Sequence, residues 1–263
     1  MTDAFSPRSK ARRKPDRASY EEAEVFAILD AGVLCHVGYV LEGQPFVTPT
    51  TYWREGRKLY WHGSAASRMI KAQASGLPVC LTVSHVDGLV LARSGISHSM
   101  NYRSVMVFGR AREVEGLEAK RLAMSAFIDR LYPGRSAELP PAHDNEIKQI
   151  GLVEMLIEEA SAKCRSGGSN HGAERTQADL WSGVIPITTQ VGRRMADADM
   201  SAGLQPSASL APYVEGARFD DVLTALGYVW RREGAYTALD GAPVIPLVSR
   251  AADTSGRDAL WVI

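Results

Sequence analysis

Between residues 34 and 114 apolar and polar positions alternate in short runs, and turn-forming residues break the runs apart. The alternation predicts strands over Leu34 to Val40, Phe46 to Trp53, Lys58 to His62, Val79 to His85, Leu89 to Arg93 and about Asn101 to Val114. Glu42-Gly43-Gln44, Arg54-Glu55-Gly56 and Asp87-Gly88 supply turns between them. Close spacing and Val, Thr, Tyr and Trp content predict a meandering antiparallel sheet that closes as a barrel. Helical spacing appears over Tyr20 to Asp30, stopped by Gly32, and over Ser64 to Ser75, ended by Gly76 and Pro78. It returns over Leu117 to Leu131, with Leu117, Leu122, Ala123, Ala126, Phe127 and Leu131 expected inward. Gly151 to Glu159 reads as a last barrel strand, and after Ser161 the chain reads as loop, Gly/Ser-rich from Ser166 to Gly172. Further on, Phe219 to Arg231 reads as a helix and Ala235 to Val248 as a hairpin turning at Asp240-Gly241. The expected fold class is therefore α+β, a β-barrel with flanking helices. Its divisions are a basic tail (1–17), a barrel domain (18–195), a linker (196–212) and an appendix (213–263).

Composition leaves this picture intact. The 263 residues are 45% hydrophobic and 23% charged, with 30 Lys+Arg against 30 Asp+Glu, an ordinary globular mixture. No apolar stretch approaches the ~20 residues that a membrane-spanning helix needs. Six basic residues crowd into the first 17 (Arg8, Lys10, Arg12, Arg13, Lys14, Arg17), but Glu21, Glu22 and Glu24 follow where a secretion signal would place an apolar core. The start reads as a solvated tail, and nucleic-acid binding is not expected. Cys35, Cys80 and Cys164 are odd in number and far apart, which fits reduced thiols and a cytoplasmic protein; Cys35 and Cys80 read as core residues.

Two tracts carry chemistry. In the first, a strand ends at His62, Gly63 lets the chain turn, and Ser64 is placed to cap the following helix. Ser67, Arg68 and Lys71 then lie on its first turns, where hydroxyls, cations and free amides suit a phosphate. The second crowds Ser97, His98, Ser99, Asn101, Arg103 and Ser104 ahead of an apolar strand, a cluster that must be solvated or bonded. The six histidines show no zinc spacing, and no metal site is expected. There is also no nucleophile elbow and no dinucleotide glycine fingerprint.

Taken together, these tracts resemble the FMN-binding split-barrel superfamily that includes pyridoxamine 5′-phosphate oxidase, and within it the nitroimidazole-resistance branch. The carriers are Arg17–Tyr20, Ile28–Asp30, Cys35–Gly38, Pro49–Trp53, Leu59–Gly63 with Ser67 and Arg68, Asp87–Ser94, His98–Val105, Ser161–Lys163 and Trp181–Pro186. The resemblance implies a six-stranded split barrel that forms a homodimer, with FMN at the subunit interface. It implies an isoalloxazine along Val47, Thr48, Pro49, Thr50 and Thr51, and a phosphate at Ser67, Arg68 and Lys71. Asn101, Arg103 and Ser104 would reach the flavin, Trp181 would pack on it, and Trp61 and His62 would end the strand beside it. His62 would face a small-molecule substrate as the catalytic residue. The implied activity is an FMN-dependent oxidoreductase, with nitro-compound reduction as one example. The Arg-x-His segment of the vitamin B6 oxidases is absent, so that activity is not expected. The alternatives are a non-enzymatic flavin-binding or sensing protein, a deazaflavin binder, and a haem-binding or haem-degrading split barrel with His98 or His171 on the iron.

Overall fold

The computed structural model describes residues 7–169, 179–201 and 203–233, with side chains in the last helix described as far as Gly227. The proposed Ala235–Val248 hairpin and His171 lie outside the described residues. The chain divides into two compact units, Met1–Leu122 with Ala142–Thr189, and Ala123–Pro141 with Gln190–Ile263.

The first unit is built on nine antiparallel strands: β1 (Ala18–Ser19), β2 (Leu34–Leu41), β3 (Gln44–Glu55), β4 (Lys58–Ser64), β5 (Ser75–Leu91), β6 (Ser99–Glu113), β7 (Ile150–Leu156), β8 (Glu159–Arg165) and β9 (Gly183–Pro186). Six of them close a ring, β6-β7-β4-β3-β2-β5, because β5 and β6 also pair with each other. The remaining strands extend it, β8 on β6, β1 on β8 and β9 on β5. Length makes this possible. The amino-terminal part of β6 pairs with β8 from Tyr102 to Phe108, and its far end pairs with β7 from Ala111 to Glu113. β5 behaves alike, meeting β2 at Cys80–Thr82 and β9 at Gly88–Leu91.

Every second residue points inward, as the pleat requires. Cys35, Val37 and Tyr39 of β2, Leu59 and Trp61 of β4, Val79, Leu81 and Val83 of β5, and Val105, Val107 and Ala111 of β6 fill the core. Burial pushes the Cys35 thiol up to about 12. Cys80 has the opposite parity and is only half-buried, so it lies on the outer face rather than in the expected core position.

Helix α1 (Glu22–Asp30) closes one end of the barrel through Val25, Ile28 and Leu29. Its last turn has carbonyls without helical partners. Tyr52 Oη donates to the Leu29 carbonyl at 2.5 Å, and His85 Nε2 donates to the Ile28 carbonyl at 3.1 Å. Asp30 and Arg54, each 3% exposed at the side chain, form a two-point ion pair at 2.9 and 2.5 Å.

Several expected boundaries move. The two strands expected over 79–93 are one, with a register shift between Val86 and Gly88 that absorbs the Asp87-Gly88 turn signal. Helix α2 is Arg68–Ala74 rather than Ser64–Ser75; Ser64 accepts from the Ala66 amide instead of capping it. The strand expected over 151–159 ends at Leu156, and the segment read as loop after Ser161 is the second half of β8. The basic start is not wholly a free tail, since Arg8 pairs with Glu158 and Glu159 and lies 5.1 Å over the Phe108 ring.

Helix α3 (Leu117–Leu131) has the expected limits but turns differently: Ala123, Ala126 and Arg130 are buried and Leu122 is 52% exposed. Two short helices follow, α4 (Arg135–Glu138) and α5 (Asp144–Lys148), the latter in the first unit. The second unit holds α4, a 3-10 turn at Ala208–Leu210 and α6 (Phe219–Glu233), which buries Val222, Leu223 and Leu226. Inside this unit Tyr213 Oη donates to the Leu131 carbonyl at 2.6 Å, and Arg194 donates to the carbonyls of Leu210 and Tyr213. Among the described residues no helix is long and apolar enough to cross a membrane.

Candidate functional site

Strand β3 is the centre of the site because half of it is paired on one side only. It pairs with β2 from Gln44 to Thr51, whereas its pairing with β4 begins only at Tyr52. Beyond that point β4 continues along β7, with His62 opposite Leu152 and Ser64 opposite Ile150. The Tyr52 amide donates to Val33, toward β2, so alternate residues Val47, Pro49 and Thr51 turn their main-chain groups to the opened side. Proline has no N–H, so Pro45 and Pro49 leave Val47 and Thr51 as the donors of that edge. The opened edge is therefore a short row of alternating amides and carbonyls available to a ligand.

Side chains of β3 divide between two faces. Val47, Pro49 and Thr51 are exposed on the outer face; Thr48 and Thr50 have inward parity and are half-buried. β4 divides its pair likewise. Trp61 is wholly enclosed in the core, where its indole N–H donates to Gln73 Oε1 of α2 at 2.7 Å. His62 faces out, half-buried, its ring 6.3 Å from that of Trp53. Burial lowers its pKa below 6.5, because the imidazolium loses hydration there. Trp53 in turn stacks on Tyr60, 5.3 Å between centroids.

The turn after β4 brings cations to the same place. Gly63 and Gly151 lie opposite each other, and a side-chain carbon at Gly151 would come within 2.3 Å of Ile70 of α2. Their lack of side chains lets α2 sit close against the strands. Ser67 precedes its first residue, Arg68 is exposed with its guanidinium 5.0 Å over the Phe46 ring of β3, and Lys71 is exposed one turn on. Arg68 therefore stands beside the opened half of β3.

The second tract is less free than its polarity suggests. Asn101 is buried and accepts from Arg165, which also donates to the Gly168 carbonyl at 2.8 Å. Arg103 holds the Asp87 carboxylate through Nε and Nη2 at 2.7 to 3.2 Å. Ser104 has the opposite parity and donates to the Lys163 carbonyl at 3.2 Å. Trp181 is 64% exposed, and its ring folds against Gly183 so closely that a side-chain carbon there would lie 2.8 Å from it. The structure thus sets Arg68 beside the opened half of β3, whose outer face carries Val47, Pro49 and Thr51, and turns His62 outward on β4; Ser67 and Lys71 flank Arg68 at the start of α2. Thr48, Thr50, Trp61, Asn101 and Arg103 have inward parity.

Sequence reasoning did not single out Gln73 or Arg165, and it read Asp87 as part of a turn rather than as the partner of Arg103. The β5–β6 register, which sets His85 opposite Arg103, is what brings Asp87 and Arg103 together. Among the described residues no group of three or more His, Cys, Asp or Glu side chains could hold a metal ion by itself.

Residues 21–164 match the pyridoxamine 5′-phosphate oxidase family. Among solved structures the chain is similar to a flavocytochrome from Azotobacter vinelandii, at 40% identity over 80% of this chain and 98% of that one, TM-score 0.75. It is also similar to an FAD- and haem-binding protein from Mycobacterium smegmatis, at 32% identity over 77% of this chain and 99% of that one, TM-score 0.73. A 5-nitroimidazole antibiotic resistance protein from Bacteroides thetaiotaomicron aligns at 23% identity over 56% and 85% of the two chains, TM-score 0.44. No protein with a curated description matches.

Proposed function

The chain belongs to the pyridoxamine 5′-phosphate oxidase family, and from that premise we propose that it is a redox protein carrying a flavin and a haem. The observation that carries the flavin is the opened edge of β3 beside Arg68. A flavin's pyrimidine edge presents carbonyl, N–H and carbonyl in sequence. One amide of that edge, Val47 or Thr51, can donate to one such carbonyl, and the adjoining Pro49 carbonyl can accept from the N–H; the two amides, about 14 Å apart on an extended strand, do not serve the same ring. Pro49 gives the ring a flat apolar surface. Ser67, Arg68 and Lys71 hold the phosphate, Arg68 as a two-point donor and Lys71 as a point charge. When bound, the flavin supplies two-electron or one-electron transfer and the haem one-electron transfer.

FAD is the favoured flavin over the FMN of the sequence reading, and haem is favoured over a flavin-only protein, because a 32%-identical relative, aligned over 99% of its own chain and 77% of this one, is named for binding both. His62, held neutral by its half-burial on the face beside β3, is the residue placed to exchange a proton with a bound molecule near neutral pH. Homodimer formation belongs to the same reading, supported by exposed apolar residues Leu34, Val40, Val47 and Met106 on one outer face of the sheet.

The test is extraction and mass identification of the cofactors, followed by titration of the stripped protein with FAD, FMN and haemin. FAD and haem are the expected pair. Arg68→Ala is expected to weaken flavin binding by roughly 10- to 100-fold, the worth of a charge-assisted hydrogen bond. Unchanged flavin affinity in that variant, or a protein that takes up neither flavin, would overturn the assignment.

A further inference from the structure

Strand β9 extends the sheet away from the opened edge of β3 and creates a second surface. Ile185 lies opposite Leu89, and Leu89 opposite Met100, a cross-strand row on one face of β9, β5 and β6. These three are 45%, 44% and 47% exposed, a run of large apolar side chains that a folded chain ordinarily covers. The β5–β6 connection borders the row. It ends in His98, whose backbone is already extended (φ −61°, ψ 142°), so His98 and Met100 share a face.

His98 has a fixed ring. Its Nδ1 donates to the Ser94 carbonyl at 3.1 Å, four residues back, and the imidazole is exposed. That bond fixes the tautomer with Nε2 as the bare nitrogen, the arrangement in which a histidine binds a metal. The other described histidines lack it. His85 spends Nε2 on the Ile28 carbonyl, His62 is half-buried beside Trp53, His143 precedes α5, and exposed His36 has no hydrogen bond to orient it.

A cation completes the surface. Arg93 stands two residues beyond β5 with Nε shut away from solvent and no hydrogen-bond partner for it. Among the described residues its guanidinium faces no carboxylate in a salt bridge, so its charge is unmatched there, and an acidic group would reach it through the terminal nitrogens rather than through the enclosed Nε. A bare imidazole nitrogen, an apolar row and an unmatched guanidinium within one loop and its flanking strands fit a planar apolar macrocycle that carries an iron and acidic side arms. From this juxtaposition we propose that His98 would bind the iron of a haem, with Leu89, Met100 and Ile185 lining the surface that would hold the macrocycle and Arg93 available to one of its acidic side arms. The proposal rests on the haem half of the function proposed above; the flavin half is independent of it.

The experiment is haemin titration of the full-length protein followed by its Soret band, in wild type, His98→Ala and His36→Ala, with flavin retention as the measure of folding. Wild type and His36→Ala are expected to develop the same band. His98→Ala is expected to keep its flavin and bind haemin at least about 100-fold more weakly, since even supporting residues of a metal ligand are worth 10- to 100-fold. Free imidazole is expected to restore the lost band. A wild type without a Soret band would overturn both the haem assignment and this proposal. Haem-loaded wild type with an equally loaded His98→Ala, or loss confined to His36→Ala, would overturn the proposal alone. Should His98→Ala fail to fold, carbethoxylation of wild type decides: haem must shield His98 from the reagent, and equal modification with and without haem overturns the ligand.

Discussion

Asp30 and Arg54 take opposite charges into the core, and their value lies in being a pair. Arg54 also donates to the Gly56 carbonyl at 2.7 Å and lies 4.1 Å over the Phe26 ring, so the guanidinium is enclosed on several sides. Asp30→Ala leaves that cation buried without its counter-charge and is expected to cost about 3–5 kcal/mol, read from urea unfolding. A cost below about 1 kcal/mol would show that water reaches the pair. His62 makes a prediction of the other kind. Burial holds its folded pKa below the ordinary 6.5, so the unfolded chain takes up the proton first as pH falls. The His62 contribution to stability is therefore complete above pH 6.5 and is lost as pH drops through the folded pKa. His62→Gln is expected to flatten the stability profile below pH 6.5 while flavin stays bound, and an unchanged slope would place the acid sensitivity elsewhere.

Among the elements, the long strand β6 shows how a barrel can be both closed and split. One strand serves β5 along its whole length and shares its other edge between β8 and β7. The changeover falls near Gly109. A side-chain carbon there would sit 2.4 Å from the Leu156 carbonyl oxygen and 2.6 Å from Met155 Cγ, distances no real contact reaches. Gly109→Ala must push β7 away from β6 and is expected to lower the midpoint of thermal unfolding by about 4–12 °C, on the order of 2–3 kcal/mol at ~2–4 °C per kcal/mol for a domain of this size. A midpoint within 2 °C of wild type would mean that the changeover is pliable.

Rows of the outer face run across β3, β2, β5, β6 and β8, as in Pro49, His36, Thr82, Met106 and Ser161, with Val47 and Leu34 on neighbouring rows. If that face is the proposed dimer contact, a charge placed within it should part the subunits. Met106→Glu is expected to shift a dimeric sedimentation coefficient to the monomer value while the near-ultraviolet spectrum is kept. A wild type that sediments as a monomer, or a Met106→Glu protein that remains dimeric, would rule out that face.

Much of this was present in the chain's alternation. Period-two runs located β2, β3, β4 and β6 to within a few residues, and the Leu59-to-Lys71 tract carries Ser67, Arg68 and Lys71, on which the proposed phosphate contact rests. These features are local: a strand's inward face is set by its own residues, and so is the chemistry of a turn that ends in Ser67 and Arg68. What the sequence did not determine was pairing. It could not tell that β3 would lose β4 after Tyr52, that Arg103 would close on Asp87, or that Trp61 would bond Gln73 while His62 turned outward. Each of these depends on which distant segment arrives alongside, and the same physics gave β8 its strand, since a short run with few apolar residues is ordered by an edge of β6 already in place. Local pattern determined the elements and their faces; only the tertiary structure, through strand register, decided which edge stayed open and which charges were already spent.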